Sequence, residues 1–181
     1  MDIIDDHWYS QINADGLRAL IGEKGEKTLL CLSINPSKAK PGHLDPTLKR
    51  LRSIANANGY DGWIMFNLYP CGGIAHDGLP EESDAWTMRE HGDVLRRILD
   101  TIPIDTVWCA WGKVIEMRPY LKKACCSWVE LLGDRRFVYT TNTLDGHPEF
   151  PLYQPKEAPL IPFDVEFYLK RLTERPHACD F

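Results

Sequence analysis

Short strand-like runs and amphipathic stretches alternate along the sequence, and this alternation restricts the chain to a small set of folds. Four runs have the character of buried strands, because most of their residues are aliphatic, aromatic or β-branched. They cover residues 28–34, 63–68, 105–111 and 136–141. Helical patterns separate them, so successive strands are joined by crossovers, and crossovers of this kind produce parallel sheets. We therefore predict an α/β protein, a three-layer α/β/α domain with a four-stranded, mainly parallel sheet.

Five stretches between and around these strands have helical character. Apolar residues recur at helical spacing in each of them, as Leu17, Leu20 and Ile21 do in the first. Asp45 and Pro46 supply the cap and the first residue of the second helix. The predicted helices cover residues 13–21, a stretch from Asp45 to Gly59, a stretch capped by Ser83 that runs to Leu99, residues 114–125 and residues 164–172.

Length and composition fit a single domain that spans residues 1–181. With 44% hydrophobic and 26% charged residues, the 181-residue chain can bury a sizeable core, which excludes disorder and coiled coil as overall descriptions. Its apolar runs are far shorter than the roughly 20 residues of a membrane span. The first residues are acidic, whereas a secretory signal begins with basic residues. We therefore expect a cytoplasmic protein without membrane contact, and the sequence does not indicate its oligomeric state.

Charge restricts the class of partner. The net charge of −5 argues against a protein that coats nucleic acid through a uniformly basic surface. One segment differs from the rest, because it holds five basic residues and a single acid, Asp45. The five are Lys38, Lys40, Lys49, Arg50 and Arg52. Two interpretations stay open for this segment: a solvated helix face, or a strip that contacts phosphate.

The motifs of several well-known sites are missing from the sequence. It contains no G-x-G-x-x-G and no G-x-x-x-x-G-K-S/T pattern, which excludes the common dinucleotide and P-loop sites. The six cysteines form no C-x-x-C pair and do not combine with histidines at zinc-finger spacing. We therefore predict no metal, no cofactor and no disulfide. A hydrolase triad of Ser37, Asp145 and His147 is conceivable, but no G-x-S-x-G elbow supports it.

Polar, turn-forming or aromatic residues follow all four predicted strands. Ligands of parallel sheets bind at the carboxyl ends of the strands, so these segments are the candidate site. Each also has a plainer explanation: Asn35 can end its strand through an Asx-turn, Asn67 can serve as a backbone partner, and Trp111 can belong to the core. The plainer explanation accounts for any one segment better than for the whole set. The segments are Asn35-Pro36-Ser37, Asn67-Leu68-Tyr69-Pro70, Trp111-Gly112 and residues 142–147.

Three of these segments resemble motifs of the uracil-DNA glycosylase superfamily. Ile34-Asn35-Pro36-Ser37 is similar to the strand-end turn of its first motif, and Phe66-Asn67-Leu68 to the strand whose terminal Asn reads the uracil edge. His147-Pro148 is similar to the start of its second motif. The resemblance implies a uracil-DNA glycosylase-like α/β/α fold and a hydrolase of DNA repair. The chain departs from the pattern at two points. It has no glycine before Asn35 where the pattern has one, and it lacks the Asp that the fastest superfamily members use.

A second resemblance covers most of the chain, from about residue 29 to residue 153. It is a resemblance to an uncharacterised bacterial family known only as a domain of unknown function. That family tends to carry a histidine where this chain has Phe150, which argues against acid–base chemistry in that loop. The residues that carry the resemblance are Asn35-Pro36-Ser37, Asp45-Pro46-Thr47, Asn67-Leu68-Tyr69, Trp111-Gly112, Gly146, Pro148 and Pro151-Leu152-Tyr153.

The glycosylase resemblance implies a role for each candidate residue. The catalytic candidates are Asn35, which can orient a water through its carbonyl oxygen, and His147, which can donate a hydrogen bond to the departing base. Asn67 offers a donor and an acceptor to the edge of a pyrimidine. The other substrate-binding candidates are Ser37, the stacking residues Phe66, Tyr69 and Trp111, and the phosphate-binding residues Lys38 and Lys40. We expect one pocket to gather Asn35, Ser37, Asn67, Trp111 and His147.

Two functions of different class fit these residues. The first is a nucleobase-recognising N-glycosidic hydrolase that acts on DNA or on a nucleotide. The second is a non-catalytic nucleobase- or nucleotide-binding module with the same fold, because one scaffold can serve several functions. The basic segment favours DNA, whereas the acidic net charge and the missing carboxylate favour a small ligand or binding alone.

Overall fold

Eight strands form one sheet in the computed structural model, which describes residues 2–4, 7–12, 17–36, 39–71 and 79–174. The helices are α1 (Pro46–Ala57), α2 (Ala85–Thr101), α3 (Pro119–Leu132) and α4 (Val165–Glu174), with short 3-10 turns at Lys113–Glu116 and Pro151–Tyr153. In the order in which they pair, the strands are β1 (Asp2–Ile4), β2 (His7–Gln11), β3 (Arg18–Glu23), β5 (Gly62–Asn67), β4 (Thr28–Ser33), β6 (Thr106–Cys109), β7 (Arg136–Tyr139) and β8 (Ile161–Pro162).

The four predicted strands form the parallel centre of this sheet. They pair in the order β5-β4-β6-β7, and every pairing among them is parallel. Strand β4 lies between β5 and β6 and is buried along its whole length, as the apolar run of residues 28–34 predicts. Strands and helices alternate along this part of the chain, which confirms the mixed α/β class.

The prediction of a four-stranded, mainly parallel sheet is wrong for the sheet as a whole. Strands β1, β2 and β3 form an antiparallel arm beside β5, and β8 pairs antiparallel with β7. Three strand pairings are therefore parallel and four antiparallel among the described residues. Only β3 among the added strands carries a continuous apolar run, and β1 and β8 have three and two residues. Strands β3 and β8 also pair with β5 and β7, which lie more than twenty residues away and leave no local pattern.

The predicted helix at residues 13–21 is also wrong, because Arg18–Glu23 is the strand β3. Leu20 packs in one core of the protein and Ile21 in the other, so both faces of this segment are covered by protein. A strand buried on both faces is apolar at successive positions, and some of these positions also fit a helical spacing. Gly22 allows the close pairing, since a Cβ there would lie 2.2 Å from the carbonyl oxygen of Trp63. Residues 13–16 lie outside the described part of the chain.

Two helix starts differ from their predictions by a small shift. Asp84, not Ser83, caps α2, because its carboxylate accepts a hydrogen bond from the backbone N–H of Thr87 at 2.7 Å. The predicted helix at 114–125 is divided into a 3-10 turn and α3, which begins at Pro119. The start of α1 matches its prediction, with Asp45 accepting from Leu48 N–H at 2.8 Å.

The sheet separates two apolar cores, and β4 contributes alternate side chains to each. Leu30 and Leu32 pack with residues of α2, α3 and α4, whereas Leu29 and Cys31 pack with residues of α1. The carboxyl ends of the parallel strands therefore emerge between helices on both sides. None of the described helices is long and apolar enough to cross a membrane.

Candidate functional site

Backbone hydrogen bonds hold the carboxyl ends of the parallel strands together at one edge of the sheet. Across the parallel block, the strands β5, β4, β6 and β7 are the second, first, third and fourth in chain order. The direction in which successive strands are added therefore reverses between β4 and β6. Ligands of open α/β sheets bind outside such a reversal point. The bonds that join the segments run from Leu68 N to Ser33 O (2.8 Å), Tyr69 N to Ile34 O (2.9 Å), Ala110 N to Leu32 O (2.9 Å) and Gly112 N to Pro148 O (2.7 Å).

Asn67, the last residue of β5, carries a side-chain amide with no hydrogen-bond partner among the described residues. The side chain is fully buried, and neither its oxygen nor its nitrogen is bonded. Leaving such a group unsatisfied costs on the order of 1–3 kcal/mol per buried donor or acceptor. An unmet cost of this kind is unusual in a folded protein and identifies Asn67 as a residue whose amide has no partner among the described residues.

His91 of α2 holds the backbone of Asn67. Burial lowers the pKa of His91 to about 4, although the hydrogen bond to Asn67 raises it. The ring is therefore neutral at physiological pH, and we assign its proton to Nε2, which lies 2.6 Å from the carbonyl oxygen of Asn67 and donates to it. Phe66 stacks on the imidazole, with ring centroids 4.0 Å apart and planes 8° from parallel. The predicted stacking residue Phe66 thus already has a protein ring as its partner.

Aromatic residues continue from this point towards the surface between α2 and α3. Tyr69 and Tyr120 have ring centroids 5.1 Å apart, and Trp128 donates from Nε1 to the carbonyl oxygen of Leu68 at 3.3 Å. The Tyr120 hydroxyl is buried without a partner among the described residues, and burial raises its pKa to about 12. Tyr120 and Trp128 also line a cavity of about 380 Å³ between the two helices.

A second network joins Trp111 and His147 through the hydroxyl of Tyr168. Trp111 Nε1 donates to the Tyr168 oxygen at 2.8 Å, and His147 Nδ1 lies 2.8 Å from the same oxygen. Because that oxygen accepts from Trp111, we assign its own proton to the bond with His147 Nδ1. His147 then carries its proton on Nε2, which faces Glu116 Oε1 at 3.4 Å. Burial raises the pKa of Tyr168, so its hydroxyl remains protonated.

The predicted site residues fall into these two groups, with Asn35 between them in the sheet. Phe66, Asn67 and Tyr69 belong to the first group, and Trp111 and His147 to the second. Asn35 is half-buried just beyond β4, the strand that separates β5 from β6. Lys40 is exposed and forms an isolated bridge with His43. Ser37 and Lys38 lie outside the described residues.

The sequence prediction missed His91, Glu116 and Tyr168. His91 and Tyr168 lie on the buried faces of their helices, and such positions predict a core residue as readily as a site residue. A polar ring among apolar neighbours was the available signal. Glu116 carries no local signal, because its contact with His147 exists only when two loops meet. No group of three or more metal-ligating side chains occurs in the described ranges.

The chain belongs to a family whose description is "Protein of unknown function (DUF1643)". The family model matches residues 17–152, which extend from just before β3 to the loop after β7. Both groups of site residues lie within the match except Tyr168, which α4 supplies from beyond it. No curated protein and no solved structure matches the chain significantly.

Proposed function

We propose that this protein recognises a nucleobase at the carboxyl ends of the parallel strands. The family has no assigned activity, so the proposal is based on the site itself. The observation that carries this proposal is the buried amide of Asn67, which has no hydrogen-bond partner among the described residues. An amide presents one donor and one acceptor side by side, which complements the paired carbonyl and N–H groups of a pyrimidine edge. Because the amide is enclosed, a base reaches it only if neighbouring side chains move.

The reaction we propose for this site is hydrolysis of an N-glycosidic bond in DNA or in a nucleotide. The bond between the sugar carbon and the base breaks, and water adds its hydroxyl to that carbon and releases its other proton to solvent. The base leaves with a proton from solvent or protein. Asn35 would orient the water, and the proton of His147 Nε2 would stabilise the negative charge on the base. Ser37, Lys38 and Lys40 would contact the sugar and phosphate. We propose no cofactor for this step.

The uracil-DNA glycosylase-like, three-layer arrangement is part of the same proposal. Its support is the block of four parallel strands with α1 packed against one face and α2, α3 and α4 against the other. The sequence likeness at Asn35, Asn67 and His147 adds to it. The antiparallel arm and β8 extend this arrangement on its two sides.

A non-catalytic nucleobase-binding module is the second candidate, and His147 favours it. The ring is fully buried, and its two nitrogens face Tyr168 and Glu116. A histidine that is held in this way must release a partner before it can donate to a base. Binding by Asn67 needs no such change at His147.

Base release is the measurement that separates the two candidates. Wild type and the Asn35→Ala, Asn67→Ala and His147→Ala variants are assayed on single strands that contain uracil or hypoxanthine and on free nucleotides. Asn35→Ala should lower turnover while base affinity stays unchanged. Loss of the His147 donor should lower the rate by about 10²–10³. Asn67→Ala should weaken binding or relax base selection.

Asn56→Ala on the exposed side of α1 is the matched control and should behave as wild type. If wild type releases no base but its melting temperature rises with a nucleobase or nucleotide, the binding module is the function. If neither signal appears, both candidates are wrong.

A further inference from the structure

The described residues that line the cavity between α2 and α3 include three basic side chains and no carboxylate. Arg89 and Arg96 of α2 and Lys123 of α3 all border it. None of the described residues that line it is acidic, although the whole chain has a net charge of −5. Arg96 bonds Asp93 at 2.6 Å from within its own helix, which leaves further guanidinium N–H groups for an anion. Arg89 also lies 3.9 Å from Glu90, so two of the three cations have a carboxylate beside the cavity and Lys123 has no ion pair among the described residues.

The floor of this cavity is aromatic and contains an unsatisfied polar atom. Trp128 and Tyr120 are more than nine-tenths buried, and both line the cavity. The Tyr120 hydroxyl has no hydrogen-bond partner in the described part of the chain. Gly92 of α2 leaves the room that the Trp128 ring occupies, since a Cβ there would lie 3.0 Å from it. At about 380 Å³, the cavity has the size of a small-molecule site.

We propose that this cavity binds a nucleoside monophosphate, a phosphate monoester that also carries an aromatic base. The phosphate bonds Arg89, Arg96 and Lys123, because phosphate dianions suit clustered guanidinium and ammonium groups. The ring lies against Trp128 and Tyr120, and the Tyr120 hydroxyl bonds a polar atom of the ring. This inference does not depend on base recognition by Asn67, whose side chain is not part of the cavity lining.

Isothermal titration at fixed ionic strength tests the proposal with four probes. These are a nucleoside monophosphate, the corresponding nucleoside, inorganic phosphate and a short single-stranded DNA. The monophosphate should bind at least tenfold more tightly than either the nucleoside or inorganic phosphate. The double variant Arg96→Gln/Lys123→Gln should weaken monophosphate binding by roughly tenfold or more, because it removes charge-assisted hydrogen bonds.

Two further variants separate this cavity from the rest of the protein. Ser127→Trp places a large ring in the cavity from an exposed position on α3 and should abolish binding of both monophosphate and nucleoside. Arg97→Gln removes an adjacent exposed cation that does not line the cavity, so it should bind as wild type. Asn67→Ala should also bind the monophosphate normally, even if it fails in every base-release assay. Thermal melts of each variant confirm that it is folded.

Three results overturn the proposal. The first is no monophosphate binding by folded wild type at millimolar concentration. The second is binding that Arg97→Gln weakens as much as Arg96→Gln/Lys123→Gln, because the effect is then one of overall charge. The third is inorganic phosphate, or DNA alone, binding as tightly as the monophosphate, since the cavity is then a simple anion site or a polymer contact.

Discussion

At the scale of single residues, the candidate site is distinguished by polar atoms that the fold leaves unsatisfied. The amide of Asn67, Nδ1 of His91 and the hydroxyl of Tyr120 are all buried without hydrogen bonds among the described residues. Ring stacking and backbone contacts connect the surroundings of these three side chains. Native proteins rarely keep such groups, because each one lowers the free energy of unfolding. Trp8, Trp108 and Thr140 also have unsatisfied buried atoms among the described residues, so the case for a ligand depends on the connection between these three side chains and not on their number.

Asn67→Leu should stabilise the protein while it removes base binding. Leucine has a similar size and no polar atoms to desolvate, so we expect the free energy of unfolding to rise by about 1 kcal/mol. Urea titration followed by tryptophan fluorescence measures this change. The control is Ser33→Ala, which loses the bond from Ser33 Oγ to Ala110 O at 3.1 Å and should be destabilised by about 1 kcal/mol. A clear destabilisation of Asn67→Leu would mean that the amide has a structural partner.

His91 should make the folded state sensitive to acid. Its pKa is about 4 in the folded protein and about 6.5 in the unfolded chain. The unfolded chain therefore binds the extra proton first, so the stabilisation is complete above pH 6.5 and is lost as the pH falls towards 4. The full loss amounts to about 3 kcal/mol.

Denaturant titrations at several pH values test this expectation against a His91→Gln variant. Glutamine can still donate to the Asn67 carbonyl but does not titrate. The variant should therefore lose less stability than wild type between pH 6.5 and 4. Equal pH dependence in both proteins would contradict the assignment of this loss to His91.

At the scale of elements, the local sequence pattern predicts the strands that are buried along their whole length. It fails for strands whose pairing depends on residues far away in the chain. Strands β4 and β5 were predicted because residues 28–34 and 63–68 are apolar on both faces. The helix at residues 13–21 was the wrong prediction for β3, because apolar residues at successive positions of a strand buried on both faces also fit a helical spacing, and the partner β5 lies some forty residues further along the chain. Short strands such as β8 depend almost wholly on the neighbour that they join.

In the candidate site too, the sequence predicts some residues and misses others. Strand ends bring Asn35, Asn67 and Trp111 to one edge of the sheet, and a rule about parallel sheets was enough to select them. The partners that decide what these side chains can do come from helices. His91 and Tyr168 are positioned by packing of α2 and α4, which no spacing in the sequence encodes.

The cap of α1 should matter more to stability than the cap of α2. Asp84→Ala removes one capping bond and should cost about 1 kcal/mol. Asp45→Ala removes the same kind of bond and also a negative charge that raises the pKa of the buried Arg18, so it should cost more. Thermal and denaturant unfolding of both variants measure the difference.

Asp45→Asn isolates the charge from the cap. Asparagine is as good a capping residue as aspartate but carries no charge. The Asn variant should therefore remain less stable than wild type. If Asp45→Asn and wild type unfold alike, the charge next to Arg18 contributes nothing and the cap accounts for the whole effect.

At the scale of the whole molecule, the antiparallel arm protects the edge of the parallel block. Strand β3 is almost entirely buried, because β2 covers one of its edges and β5 the other. Trp8 and Tyr9 of β2 pack against the two different cores. The arm beyond β3 lies outside the residues that the family model matches.

A chain that lacks residues 1–16 should be less stable and should self-associate. Removing β1 and β2 leaves the backbone groups of β3 unpaired, and an exposed apolar edge pairs with other chains. Light scattering and thermal melting should show a larger particle and a lower melting temperature than for the full chain. A matched deletion of residues 175–181 leaves every described strand in place and should stay unchanged in both measurements. A monomeric, equally stable chain without residues 1–16 would contradict this role for the arm.

The position of β4 at the centre of the sheet also governs how the protein can be made. Its two neighbours, β5 and β6, both follow it in the chain, and β6 is completed only at residue 109. A ribosome adds roughly 5–20 residues per second, so β4 waits on the order of 4–15 s for its second neighbour. During that wait a strand that is fully buried in the folded protein lies in the growing chain with one side open. An unpaired strand edge can pair with other chains, so synthesis is a period in which this protein is exposed to aggregation.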